Sequence, residues 1–259
     1  MGMDIVGSGD KMVALVEIEE GSEKEIEEVA RELMAENKNV RSVLQKFPGT
    51  RGAYRTRTYS FVAGDRDTEV LHKEYGYLLK LDPQKVYFSP RESTVRQHIS
   101  NRVNPGDKIL VMFAGVGPYP VCMAKSQPKL SEIVAVELNP EAFRYMKDNI
   151  RINKIAHLVT PILGDVRMVC SGMSGQFDRI VMPMVEAFDY IDVAVDCCKN
   201  GGLVQVYMVS DKNHLYEDCR VAIQERMKAL GREYKIEDGI KVGLYSPGKW
   251  KVLIEIRMK

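Results

Sequence analysis

The chain changes its hydrophobic rhythm once along its length. "MVALVEIEE" (12–20), an apolar run that alternates apolar and polar from Val16 to Glu19, predicts a strand. "SEKEIEEVARELMAEN" (22–37) spaces its apolar positions by three and four and predicts a helix. "VRSVLQK", a glycine-bearing turn in "FPGTRGAYR", and "TYSFVAGDRD" follow, and "EVLHKEYGYLLKLDPQKVYFS" alternates through two more strands. Residues 1–88 thus predict a small α+β domain, most of it one mixed sheet. "STVRQHISNRV" (93–103) predicts a helix within a linking stretch, 89–106. From 107 to 259 the rhythm becomes strand, helix, strand, helix. "KILVMFA", "EIVAVEL", "LVTPILGD", "FDRIVMPM" and "GLVQVYMVS" alternate with helical or polar segments, and the paired strands "YKIEDGIKVGLYS" and "KVLIEIRMK" close the chain. This order predicts an α/β domain with a doubly wound, mostly parallel sheet, helices on both faces and an antiparallel edge hairpin.

Composition narrows the partners. Of 259 residues, 45% are apolar and 28% charged, an ordinary globular balance. Lys and Arg total 37 against 36 Asp and Glu, so a nucleic-acid partner needs a local basic patch rather than net charge. No apolar run reaches membrane-span length, and the opening "MGMDIVGSGD" has neither a basic n-region nor an apolar h-region. Five cysteines without a CxxC pair suit a reducing, cytoplasmic setting. The four histidines show no ligand spacing with them, so no metal is expected.

Candidate chemistry gathers where the predicted strands end. In an open α/β sheet, ligands sit beyond the carboxyl ends of the strands, near the topological switch point. "LVMFAGVGP" (110–118) ends the first strand of the series on Gly115 and Gly117, where backbone turns sharply and a ligand approaches without a Cβ in the way. Glu137 closes the second strand, where a carboxylate accepts from ribose hydroxyls, and Asp165 closes the third, where it accepts from an adenine amine. Phe113, Leu138 and Val166 border these positions. The 20 residues from Gly117 to Glu137 fit a nucleotide cofactor. Pro118, Tyr119 and Pro120 replace the longer GxGxxG of dehydrogenases, which disfavours a pyrophosphate at the helix start. S-adenosylmethionine, with an adenosine and no phosphate, fits the shorter turn.

"KVYFSPR" (85–91), "MFAGVGPY" (112–119), "VELNPEAF" (136–143), "NIRINK" (149–154) and "GDVRMV" (164–169) resemble, in order, the archaeal and eukaryotic tRNA methyltransferases of guanosine 37. They equally resemble relatives that make wyosine, including enzymes that transfer an aminocarboxypropyl group from the same cofactor. "HKEYGYLLKLD" and the closing "YSPGKWKVLIEIRMK" match as well, so the resemblance runs from about residue 12 to the end. An extra N-terminal domain carried by many members is not expected in this sequence. The resemblance implies a Rossmann-like class I methyltransferase domain, a smaller tRNA-contacting domain upstream, S-adenosyl-L-methionine as cofactor, and attack by an anticodon-loop base on a carbon attached to its sulfonium. It implies a tRNA partner, no membrane and no metal, and the protein is expected as a monomer.

The same resemblance assigns residues. N1 of guanine carries a proton that a base must remove, and charge grows on O6. Arg55 in "GAYRTR" matches the arginine proposed to stabilise that oxygen. The family continues after "SPR" to a Glu-Arg pair whose glutamate is the proposed base; this chain has Val95 there, with Arg96 retained. Glu92 and His98, three residues either side of Val95, are the substitutes expected to share its helical face. Two further departures are Val111, where the family has aspartate, and Pro183-Met184-Val185, where the methyltransferases have Asn-Leu-Pro. Arg91, Arg96 and Tyr119 are substrate-binding candidates; Lys73, Arg102, Arg144 and Lys147 could extend a phosphate-following patch, and Tyr87 and Phe88 could stack on a base. The leading expectation is a methyltransferase of purine 37. The alternatives are aminocarboxypropyl transfer and a catalytically degenerate RNA- and cofactor-binding protein.

Overall fold

The computed structural model describes residues 2–18 and 23–259. Glu19 and Glu20, at the predicted end of the first strand, and Ser22, at the predicted start of the first helix, lie outside the described residues. The chain begins β1 (Gly2–Ser8), β2 (Lys11–Glu17), α1 (Glu23–Glu36), β3 (Val40–Lys46), β4 (Tyr59–Gly64), β5 (Val70–Glu74) and β6 (Tyr77–Leu81). A 3-10 turn (Pro90–Glu92) leads into α2 (Ser93–Ser100), β7 (Lys108–Met112), α3 (Pro118–Ser126), β8 (Glu132–Glu137), α4 (Pro140–Ile152), β9 (Val159–Leu163) and α5 (Val166–Val169). Then come β10 (Phe177–Met182), a 3-10 helix (Val185–Tyr190), α6 (Ile191–Cys197), β11 (Cys198–Asp211), α7 (Glu217–Ala229), β12 (Tyr234–Ser246) and β13 (Lys249–Met258).

Contacts divide the chain into two compact units. The first holds Met1–Ser93, Gly115–Pro118 and Asn139–Lys154; the second holds Thr94–Ala114, Tyr119–Leu138 and Ile155–Lys259.

In the first unit, β1-β2-β3-β4 form one sheet, with β2 and β3 parallel and both outer pairs antiparallel. Helix α1 is the crossover that a parallel pair requires. Ala30 of this helix is buried in a cluster with Ala14, Val16, Val40 and Val43 from β2 and β3. The hydrophobic pattern does not reveal β1, because Gly, Asp and Ser dilute it; its pairing with β2 from Gly2↔Glu17 to Ser8↔Lys11 holds it in place. The expectation of a mixed sheet describes β1–β4, whereas β5 and β6 form a separate two-stranded sheet among the described residues. Their two-residue loop has Tyr75 at φ 40° and Gly76 at φ 88°, the left-handed pair that a tight hairpin needs.

The second unit is built on a seven-stranded sheet in the order β12-β13-β11-β10-β7-β8-β9. From β11 to β9 all neighbours are parallel, and β13 and β12 complete the edge in antiparallel sense, as the closing pattern predicts. The chain moves outward from β7 through β8 to β9, then returns to place β10 on the other side of β7. That reversal is the topological switch point. One face of the sheet presents Leu110 and Met112, Val134 and Val136, Val204 and Val206, and Ile254 and Ile256, each pair two residues apart and buried. Cys219, Ile223 and Met227 of α7, spaced by one helical turn, pack into the same core. Burying one such aliphatic side chain stabilises a fold by ~1.5–3 kcal/mol.

Candidate active site

Strands β7, β8 and β9 are neighbours, so their carboxyl ends lie side by side in the second unit. β7 ends in a constrained backbone. Phe113 has φ 57°, uncommon for a residue with a Cβ, and the next amide, Ala114 N, donates to Val136 O of β8 at 2.9 Å. Residues held in such conformations concentrate at ligand clamps. Glu137, the last residue of β8, is only 9% exposed, while Leu138 beside it is 39% exposed. Gly164 N donates to Glu137 O at 2.9 Å, which ties the end of β9 to that of β8. Asp165 caps α5 by accepting from Arg167 N at 2.7 Å through Oδ1, and Val166 behind it is buried. Capping fixes the carboxylate and uses one of its two oxygens.

The turn Gly115–Pro118 continues the chain from β7 and belongs to the first unit. Its two glycines do different jobs. A Cβ placed on Gly117 (φ 84°) would lie 2.9 Å from Met146 Cγ of α4, so this glycine is required for close packing. A Cβ on Gly115 (φ 59°) would meet nothing within 4 Å, so open space borders the backbone there. Gly117 turns a corner; Gly115 is the bare backbone a ligand can approach.

The sequence reading did not single out Arg167, Tyr190 and Asp192. Arg167 pairs with Asp192 Oδ2 at 2.8 Å, donates to Asp189 O at 2.9 Å, and stacks over the Tyr190 ring with its guanidinium carbon 4.8 Å from the centroid. Tyr190 in turn meets Phe113 edge to face, with ring centroids 5.1 Å apart. This chain of contacts fastens the 3-10 helix after β10 to the residues just beyond β7 and β9. Burial opposes ionisation of Asp192, but the hydrogen bond and charge of Arg167 prevail and hold its carboxyl below the usual range. Arg167 was visible inside "GDVRMV", but its partners lie more than 20 residues away, at separations no local pattern reports.

The other candidates are scattered. Arg55 has φ 52° in the turn closed by the Arg51↔Thr56 bridge. Arg91 pairs with Asp4, which also holds Lys46 at 3.4 Å. Glu92 is 7% exposed and stands in the 3-10 turn ahead of α2, so the helical spacing that was to align it with Val95 does not apply. His98 does lie on α2, and its Nε2 is buried with no hydrogen-bond partner among the described residues. Arg96 is 1% exposed, one of the largest fully buried side chains. Tyr119 is 2% exposed, and its hydroxyl hydrogen-bonds to that of Tyr207. Among the substitutions in the family pattern, Val95 and Val111 are buried. Met184 opens the 3-10 helix after β10 with no side-chain cap. No group of three His, Cys, Asp or Glu among the described residues forms a metal site, and no described helix is long and apolar enough to cross a membrane.

The model of the TRM5/TYW2 methyltransferase domain matches residues 70–237. The chain is 33% identical over 256 residues to the tRNA (guanine(37)-N(1))-methyltransferase Trm5b of Pyrococcus abyssi, covering 98% of this chain and 74% of that protein. It is 29% identical over 263 residues to the tRNA(Phe) (4-demethylwyosine(37)-C(7)) aminocarboxypropyltransferase of Methanocaldococcus jannaschii, covering 100% and 99%. Two solved structures superpose over the whole chain. The complex of aTrm5 with tRNALeu does so with TM-score 0.86 at 28% identity, over 72% of that chain. Methanocaldococcus jannaschii Trm5 with adenosine gives TM-score 0.83 at 28% identity, over 74% of that chain.

Proposed function

Since the chain belongs to the TRM5/TYW2 methyltransferase-domain family, whose members depend on S-adenosylmethionine, we propose that it is a tRNA methyltransferase that modifies N1 of guanosine 37 in the anticodon loop. One observation carries this reading: the side-by-side ends of β7, β8 and β9 bear a left-handed backbone turn and two carboxylates, without the glycine pattern of a pyrophosphate site. The residues present suit an adenosine. Gly115 borders open space, Glu137 offers a carboxylate to the ribose diol, and Asp165 offers its remaining oxygen to the adenine amine. Phe113, Leu138 and Val166 supply apolar contact, and Gly117 shapes the turn.

When bound, S-adenosylmethionine supplies an electrophilic carbon on a sulfonium. The chain's task is to make N1 of the base nucleophilic and hold it in line. His98 on α2, with its unpartnered Nε2, takes the N1 proton; Glu92 is the other candidate for that role. Arg55 stabilises charge growing on O6. On the tRNA side, Arg91 lies at the surface paired with Asp4, and Arg96 and Tyr119, both buried, act by positioning the elements around them rather than by touching RNA. Residues 1–88 act as the tRNA-contacting domain, 89–106 as the linking segment and 107–259 as the cofactor and catalytic domain, with the protein working as a cytoplasmic monomer.

The second reading, aminocarboxypropyl transfer, is favoured by one feature. Pro183-Met184-Val185 replaces the Asn-Leu-Pro of the methylating branch, and Pro183 has no N–H to offer. Incubation with unmodified tRNA and cofactor labelled separately in its methyl and aminocarboxypropyl carbons decides between them. Methyl label in nucleotide 37 is the expected result; aminocarboxypropyl label selects the second reading, and no label with retained tRNA binding overturns both. In the same assay, Glu92→Gln and His98→Gln identify the proton acceptor as the variant that loses turnover while keeping cofactor affinity.

A further inference from the structure

The free edge of β6 is closed by the side chains of Asn149 in α4 and of Asn153, the residue that caps its C-terminus. Leu78 N donates to Asn153 Oδ1 at 3.0 Å, and Asn153 Nδ2 donates to Leu78 O at 2.6 Å. Two residues along, Lys80 N donates to Asn149 Oδ1 at 2.6 Å, and Asn149 Nδ2 donates to Lys80 O at 3.0 Å. The match is geometric: residues i and i+4 on a helix are about 6 Å apart along the axis, and residues i and i+2 on a strand about 6.6 Å. Two asparagines one helical turn apart therefore act as an added strand. Each carboxamide gives and accepts one bond, as a peptide group does.

Asn149 does something Asn153 does not. It is fully buried, and its Nδ2 also donates to Val116 O, at 2.8 Å. Val116 lies between the two glycines of the turn after β7 and is itself fully buried. One carboxamide thus joins the backbone of β6 to the backbone of that turn, all within the first unit. The corresponding second bond of Asn153 returns to α4 itself, at Asn149 O, 2.8 Å away.

We propose that Asn149 is a positioning residue that sets the conformation of the Gly115–Pro118 turn and couples it to β6, so that cofactor binding at the turn stiffens the β6 edge. The proposal rests on the cofactor reading of that turn, and its test separates the two. Asn149→Asp keeps the acceptor for Lys80 N but removes both donations, whereas Asn153→Asp makes the parallel change without touching Val116. By titration calorimetry with S-adenosylmethionine, Asn149→Asp should weaken binding about tenfold. Asn153→Asp should stay within about twofold of the parent. Hydrogen exchange gives the second readout. In the unaltered protein, cofactor should slow exchange at Lys80 N but not at Leu78 N; in Asn149→Asp without cofactor, the turn amides should exchange faster than in Asn153→Asp. Equal effects of the two variants on affinity and turn exchange would overturn the proposal. Should the unaltered protein fail to bind the cofactor, the cofactor reading falls, while the exchange comparison of the variants still decides whether Asn149 holds the turn.

Discussion

A glycine can be present because the chain must bend or because something must come close, and the two demands respond differently to a methyl group. At Gly117 both backbone and space object: φ is 84° and a Cβ would meet Met146 at 2.9 Å. Gly117→Ala is expected to destabilise the protein by about 2–4 kcal/mol, adding the left-handed cost to overpacking. At Gly115 only the backbone objects, at φ 59° with open space beyond. Gly115→Ala is expected to cost about 1 kcal/mol of stability, with its main effect a weaker grip on S-adenosylmethionine. Denaturant unfolding and calorimetry on both variants check this. A Gly115→Ala protein that binds cofactor normally would remove the glycine from the site. The sequence shows two equivalent glycines; only the position of α4 makes them different.

The same contrast between local and distant causes explains which elements were legible. The central strands of the second unit are readable because they are short, continuous apolar runs buried on both faces, and helix α7 because its buried positions repeat every turn. The separation of the β5–β6 pair from the β1–β4 sheet, the strand β1 and the asparagine edge of β6 were not, because each depends on what lies across from it rather than on its own pattern. Asp165 was legible as a strand-end carboxylate, but its capping of α5 shows only in the folded structure, where its side chain accepts from Arg167 N. The Arg167–Asp192 pair, which fastens the 3-10 helix after β10, also escaped and gives a pH test at this scale. Asp192 is held below its ordinary range in the folded state, so its contribution is complete above the unfolded value of about 4 and is lost as pH falls through the folded one. Other carboxylates shift the same way, so the measurement is the difference in Tm between the parent and Asp192→Asn. That difference should be constant above about pH 5 and shrink below about pH 4. A gap that widens with acidification would mean the pair does not stabilise the folded state.

At the scale of the whole molecule, 37 basic residues against 36 acidic ones give no long-range pull on RNA, so tRNA affinity has to come from cations that are not already spent. Most of the basic residues expected along the phosphates are spent. Arg91 pairs with Asp4, Arg96 is buried, Arg102 holds Glu255 at 3.2 Å, and Arg144 holds Glu141 at 3.3 Å while stacking 4.2 Å over Tyr145. Lys73 and Lys147 are exposed, and neither forms an ion pair among the described residues; the Lys147 ammonium lies 5.1 Å from the Phe143 ring centroid. A cation already facing a carboxylate gains little by exchanging it for a phosphate, whereas a free lysine releases a counterion on binding. Lys73→Gln and Lys147→Gln are therefore expected to weaken tRNA binding several-fold whatever the anticodon-loop sequence, each reducing the salt slope of log K by about 1. Arg144→Gln should leave both affinity and slope nearly unchanged. Binding measured at several salt concentrations checks the set. If Arg144→Gln lost as much slope as the lysine variants, ion pairs on this surface would be opening to RNA, and the free lysines would have no special place in binding.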